Sequence, residues 1–190
     1  MEKRLIIFID CGDTIVDEST QLFAPGELVL KADFIPGAKE ALEELHREGY
    51  RMALVADGLT ESFENIFREN GMRYVFEGWV TSEAVGVCKP DERMFLTALK
   101  AMKLTKDDVD HIVMIGNNLK RDVLGANRMG ITSILLSFSP RYVMQPDTDE
   151  EIPDYVVAMP CEIPELIHQL DRQVKNRRIL GKVGVGSIAL

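Results

Sequence analysis

An α/β fold with a central parallel sheet and helices on both faces is the class this sequence predicts, on three observations. Some apolar runs are unbroken rather than alternating, as in residues 5–9 (LIIFI) and 51–56 (RMALVA). Strands buried on both faces have that composition. Segments with apolar residues at helical spacing lie between these runs. The two patterns alternate along most of the chain, which specifies a parallel sheet with right-handed crossovers.

Taken in order, the first strand stops at Asp10 and is followed by Gly12, Asp13 and Thr14. Residues 17–34 lack clear periodicity and read as a loop with a short hairpin around Pro25-Gly26. Pro36-Gly37 opens a helix with Ala38, Ala41, Leu42 and Leu45 on one face, ended by Gly49. Residues 51–56 form the second strand, ending at Asp57-Gly58. Thr60 is the expected N-cap of a helix with Phe63, Ile66 and Phe67 inward and Gly71 at its end. Residues 75–81 form a short extended piece containing Trp79, and Lys89-Pro90-Asp91 leads into a helix over 92–102. Strands follow at 110–116 and 132–137, separated by a helix over 122–130 that Gly130 closes. Residues 139–153 make a Pro- and acid-rich loop, and 155–158 a last short strand. The final helix, 164–176, turns Leu166, Ile167, Leu170 and Val174 inward. A single domain over 1–178 with a flexible, Gly-rich tail over 179–190 is expected.

The 190 residues suffice for one domain with a real core. The net charge of −9 argues against a nucleic-acid or anionic-membrane partner, since both are bound by clustered Lys and Arg. Cys11, Cys88 and Cys161 are odd in number and far apart, with no disulfide or metal spacing, which fits a reducing cytoplasm. No apolar run has the length of a membrane span, and the start reads as having no secretory leader.

A parallel sheet opens all its strand ends on one edge, where ligands bind. Asp10, Asp57 and Gly116-Asn117 are thereby expected together, with Lys89 in reach. The motifs in that set resemble those of the haloacid dehalogenase-like hydrolase superfamily over about residues 3–171. Asp10-Cys11-Gly12-Asp13-Thr14 resembles its Asp-x-Asp-x-Thr, and Ala56-Asp57-Gly58 stands where a Ser or Thr then Asn-Gly is common. Lys89-Pro90 matches its third motif. Gly116-Asn117 with Asp122, Gly125 and Ala126 stands for the Gly-Asp…Asp…Gly-Ala of its fourth.

The resemblance implies a three-layer Rossmann-like fold and a magnesium-dependent phosphatase. Asp10 would be the nucleophile that forms an aspartyl phosphate, and Lys89 the charge stabiliser. Mg²⁺ would be held by Asp10, the carbonyl of Gly12, the amide oxygen of Asn117, and Asp122. Three positions depart from the family pattern. Gly12 stands where the acid/base Asp is expected, which makes the displaced Asp13 the candidate proton donor. Ala56 has no hydroxyl for the phosphoryl group, which leaves the backbone N–H groups of Asp57 and Gly58; the Asp57 side chain reads as a turn or capping group. Asn117 brings an oxygen ligand without charge.

The slots where relatives carry cap domains, residues 17–34 and the stretch between Asp57 and Lys89, are too short for one. The expected site is open, suited to a large substrate or to cover from a second copy in a homodimer. Arg141, on the loop after the 132–137 strand, is placed to reach a phosphorylated, anionic substrate. His46, His111 and His168 lie on separate elements and read as packing or surface residues, Cys11 as a small buried hydrophobe, Trp79 as core, and residues 147–151 as a solvated acidic run. Two alternatives remain: a dehalogenase using Asp10 without metal, and a non-catalytic phospholigand-binding protein decayed from an enzyme.

Overall fold

The computed structural model describes residues 4–139 and 141–183. Its strands are β1 (Ile6–Ile9), β2 (Leu22–Phe23), β3 (Val29–Lys31), β4 (Arg51–Ala56), β5 (Gly78–Thr81), β6 (Ile112–Gly116), β7 (Thr132–Leu136) and β8 (Tyr155–Val157). Its α-helices are α1 (Ala38–Arg47), α2 (Thr60–Glu69), α3 (Ser82–Val85), α4 (Glu92–Ala101), α5 (Leu124–Met129) and α6 (Ile163–Val183). Six strands form one parallel sheet in the order β5-β4-β1-β6-β7-β8. β1 lies between β4 and β6, so both of its edges are paired and its carboxyl end opens mid-sheet.

The unbroken apolar run of β1 serves two cores at once. Ile7 and Ile9 face the layer that holds Ala38, Leu42, Phe63, Phe67 and Ile167, while Ile6 and Phe8 face Met94, Phe95, Ala98 and Ala126. Burying each such side chain contributes about 1.5–3 kcal/mol, which is why the alternation of a half-exposed strand is absent. Phe67 is the hub of an edge-to-face cluster with Phe34, Phe76 and Trp79, with Arg73 over the indole at 3.9 Å. Trp79 is thus packing, as its sequence context suggests.

Several boundaries move for local reasons. Thr60 is the first helical residue of α2 rather than its cap; Leu59 holds that place without a side-chain bond. The Thr60 N–H donates instead to the Glu83 carboxylate at 2.9 Å, and its hydroxyl meets that of Thr81 at 2.6 Å. β6 starts at Ile112 because residues 106–111 wind into a 3-10 turn with a Thr105–Asp108 capping box. A π-type turn, Leu119–Val123, precedes α5, so Asp122 sits in the wide turn and not in the regular helix. α6 continues past the expected end at residue 176, and the tail expected from residue 179 lies mostly outside the described residues.

Residues 17–34 do contain the hairpin, β2–β3. It is fastened to α2: the Val29 N–H donates to Ser62 Oγ at 2.9 Å, and Asn65 Nδ2 donates to the Val29 carbonyl at 3.1 Å. Between α2 and α4 the helices and strands are α3, β5 and a 3-10 turn, so neither slot holds a cap domain. Among the described residues no helix is long and apolar enough to cross a membrane.

Candidate active site

The cleft at the carboxyl end of β1 is lined by Asp10, Gly12, Glu18, Asp57, Lys89, Asn117, Asn118, Arg121, Asp122 and Tyr142. The strand ladder fixes Asp10, whose N–H donates to the Ile115 carbonyl at 2.9 Å. The chain then closes a tight loop around one acceptor: the N–H groups of Thr14, Ile15 and Val16 all donate to the Cys11 carbonyl. That loop turns the Thr14 hydroxyl back onto Asp10 Oδ2 at 3.1 Å. Cys11 is buried, as expected of a small hydrophobe beside the strand end.

Lys89 reaches Asp10 from the segment before α4. Its ammonium donates to Asp10 Oδ1 at 2.6 Å and to the Val55 carbonyl at 2.8 Å. It also lies 2.6 Å from Asp122 Oδ1, as a close ion pair without hydrogen-bond alignment. Burial alone would lower the Lys89 pKa, but Asp10, Asp122 and Asp57 more than reverse it, and the amine stays charged. Burial pushes the Asp122 carboxyl upward against the pull of that same ammonium. Asp122 Oδ2 accepts the Asn118 N–H at 3.0 Å.

Gly116 makes room for this arrangement. A Cβ at that position would lie 2.2 Å from Asp122 Cγ. Gly125 does the same for helix packing, where a Cβ would lie 2.4 Å from the Phe95 ring. These contacts explain two glycines of the fourth motif by close approach.

The structure brings Asp10, Gly12, Asp57, Lys89, Asn117 and Asp122 together and leaves Asp13, Ala56, Gly58 and Arg141 off the cleft wall. Asp13, the expected proton donor, is not among the residues of the cleft wall. It takes a left-handed backbone (φ 51°), its Oδ1 accepts the Glu18 N–H at 3.1 Å, and its Oδ2 lies 2.7 Å from Arg141 Nε. Ala56 is buried. The Gly58 N–H is already given to Ser82 Oγ at 2.9 Å, so it is not free for a phosphoryl group. Asp57 sits in the bend after β4 and does not cap α2: its Oδ1 accepts the Lys89 backbone N–H at 3.0 Å, which anchors the lysine, and burial raises its pKa. Arg141 ion-pairs with both Asp13 and Glu18 rather than pointing into the cleft.

Glu18, Asn118, Arg121 and Tyr142 line the cleft without having been singled out in the sequence. Arg121 had a local signal, a cation directly before Asp122; Glu18 had none. The histidines stand apart, as expected: His46 against Tyr74, His168 on Glu48 at 2.6 Å, and His111 buried. The acidic run is only partly solvated, because Glu151 is buried and accepts the Asp147 N–H at 2.9 Å.

The cleft fits a divalent cation. Four lining carboxylates face two lining cations, Lys89 and Arg121. A phosphate dianion entering this field would be repelled unless further positive charge accompanied it. The available donors are hard oxygens, the kind magnesium takes. Asn117, buried on the cleft wall, adds a neutral amide oxygen to that set.

Residues 13–136 match the family of haloacid dehalogenase-like hydrolases. The chain is 27% identical over 136 residues to a glyceraldehyde 3-phosphate phosphatase of Methanopyrus kandleri, covering 71% of this chain and 57% of that one. It is 30% identical over 140 residues to a protein of the same name from Pyrococcus furiosus, covering 73% and 55%. It therefore spans little more than half the length of these curated relatives. An uncharacterised protein of Listeria monocytogenes serotype 4b shares the fold with a TM-score of 0.72 at 24% identity, covering 88% of this chain and 99% of that one. With the strand-end carboxylate, its lysine and the matched residues agreeing, the chain belongs to the haloacid dehalogenase-like hydrolase family.

Proposed function

We propose that this chain is a magnesium-dependent phosphatase acting on phosphorylated small molecules through an aspartyl phosphate on Asp10. The observation that carries the reading is the Asp10 carboxylate at the mid-sheet strand end, paired with the Lys89 ammonium at 2.6 Å. Relatives named as glyceraldehyde 3-phosphate phosphatases and as a phosphoserine phosphatase support the substrate class.

In this reading Lys89 and Thr14 fix both oxygens of Asp10, so its orientation toward an incoming phosphorus is set before substrate arrives. Attack by the carboxylate forms the new P–O bond, and the bond to the leaving oxygen breaks with its electron pair. Water then attacks phosphorus, releasing phosphate and restoring Asp10. Lys89 offsets the charge that gathers on the phosphoryl oxygens. Magnesium would be held by Asp10, the Gly12 carbonyl, Asn117 and Asp122. When bound it supplies the positive charge that lets one anion approach another. A dehalogenase would want an apolar pocket, whereas this cleft is walled almost wholly by charged and polar residues.

The same reading places the protein in a reducing cytoplasm, where the exposed thiols Cys88 and Cys161 stay unpaired. It allows a homodimer to cover the open cleft; Leu22, Phe23 and Leu30 on β2–β3 are exposed apolar surface for such a contact.

Hydrolysis of p-nitrophenyl phosphate and glyceraldehyde 3-phosphate, with and without added Mg²⁺, tests the proposal. We expect turnover that needs the cation and falls by about 10³-fold or more in Asp10→Asn, as loss of a nucleophile does. Turnover that survives Asp10→Asn overturns it.

A further inference from the structure

A second cavity adjoins the cleft over Asp10. It is lined by Asn118, Lys120, Arg121, Tyr142 and Val143, and it shares Asn118, Arg121 and Tyr142 with the cleft. The cleft has a volume of 40 Å³ and the second cavity 310 Å³, so the bulk of a substrate has room only in the second. The charge changes sign between them. Four carboxylates line the cleft, whereas among the described residues two cations and no carboxylate line the cavity. We propose that this cavity seats the leaving group and that Arg121 binds a carboxylate on it, which makes the substrate a phosphate monoester of a hydroxy acid. The proposal rests on the phosphatase reading of the Asp10 cleft.

Arg121 is held where the two spaces meet. The N–H groups of Arg121, Asp122 and Val123 all donate to the Asn118 carbonyl, at 3.3, 2.9 and 3.3 Å. Asn118 Oδ1 accepts the Lys120 N–H at 3.0 Å. This wide turn follows β6 closely, which sets residue 121 at the sheet edge that carries the cleft. The Arg121 guanidinium makes no hydrogen bond among the described residues. Its ion-pair partner, Asp57 Oδ2, lies 3.5 Å from Nη1 without hydrogen-bond alignment. Lys120 is already spent, with its ammonium 2.6 Å from Asp147.

Arg121 therefore has donors to spare, in a planar fork that matches the two oxygens of a carboxylate. A second phosphate would suit the cavity less, since it would set two charges against one unspent guanidinium. The opposite wall of the cleft is unsuited to any anion. A Cβ built on Gly12 would lie 1.8 Å from Glu18 Oε1, so a carboxylate fills that side, and Arg141 is spent on it. The carbon stem of the leaving group would rest on Tyr142 and on Val143, which is 69% exposed. A grip on the far end of the substrate also fixes how its phosphoryl group meets Asp10.

Steady-state kinetics with Mg²⁺ on a matched pair tests this. The pair is 3-phosphoglycerate, which carries a carboxylate, and glyceraldehyde 3-phosphate, which has an uncharged aldehyde in its place. The wild-type chain should prefer the acid in kcat/KM by about tenfold or more. Arg121→Met should cut that preference by about tenfold or more, chiefly through KM for the acid. Partial unfolding would scale both rates alike, so the ratio reports recognition alone. Arg121→Lys should keep part of the preference, because the charge stays while the fork is lost. Calorimetric binding to an Asp10→Asn chain needs no turnover and should show the same order, with the acid bound more tightly than the aldehyde until Arg121→Met is added. No preference in the wild-type chain, or a preference that survives Arg121→Met, overturns the proposal; Asp10-dependent turnover of p-nitrophenyl phosphate then leaves the phosphatase reading standing. A chain that hydrolyses none of the three substrates overturns both.

Discussion

On the floor of the cleft, Lys89 and Asp122 have side chains only 1% and 2% exposed, and hydrogen bonds or ion pairs hold every charged atom. At the rim, Glu18 and Arg141 are 29% and 44% exposed and come from irregular segments far apart in sequence. The same kind of contact, a carboxylate on a cation, has different worth in the two places. Removing one partner of a buried pair strands a charge in low dielectric, whereas an exposed pair is screened and its stability contribution is small. The floor contacts therefore bear on stability, while the rim contacts add little to it.

The largest effect that bears on this contrast is Lys89→Met. It leaves Asp10 and Asp122 facing each other without their ammonium, and should cost about 3–5 kcal/mol in urea denaturation without added cation. Combining it with Asp122→Asn should recover part of the loss. A loss below about 1 kcal/mol would make the floor no different from the rim.

A smaller effect follows from Asp57, between floor and rim. Burial holds its pKa above the ordinary 3.8 in the folded chain. The folded state then binds the proton more tightly than the unfolded state. The associated stability is fully present below that ordinary value and is lost as pH rises through the raised one. Asp57→Asn should remove this part of the decline, so variant and wild type diverge in the variant's favour as pH rises above about 4. Parallel stability curves over that range would place Asp57 in effectively aqueous surroundings.

The smallest effect belongs to Arg141→Ala, which breaks two ion pairs at the rim. The expected stability change is within about 1 kcal/mol, read by the same denaturation. A loss comparable to that of Lys89→Met would show the rim to be as desolvated as the floor.

Much of this was legible in the sequence because it is encoded locally. The apolar run of β1, broken by Asp10, specifies a doubly buried strand with a carboxylate at its tip; Lys89 ahead of α4 and Asp122 ahead of α5 carry their own spacing. Boundaries were less legible where a neighbour replaced a local rule, as when Glu83 took the Thr60 N–H that a capping side chain would otherwise satisfy. The position after the first strand shows the limit most clearly. Gly12 followed by Asp13 reads as a donor shifted by one residue, but the left-handed backbone at Asp13 turns that side chain toward Glu18 and Arg141.

By itself, then, the sequence determined the layers of the fold and the meeting of Asp10 with Lys89 at the strand end, since periodicity and strand-end residues are properties of short stretches. Only the tertiary structure decided which carboxylate stands over Gly12, what Asp57 holds and where Arg141 is spent. Those outcomes depend on how loops from different crossovers meet above the sheet, and no spacing along one chain records a distance between two loops.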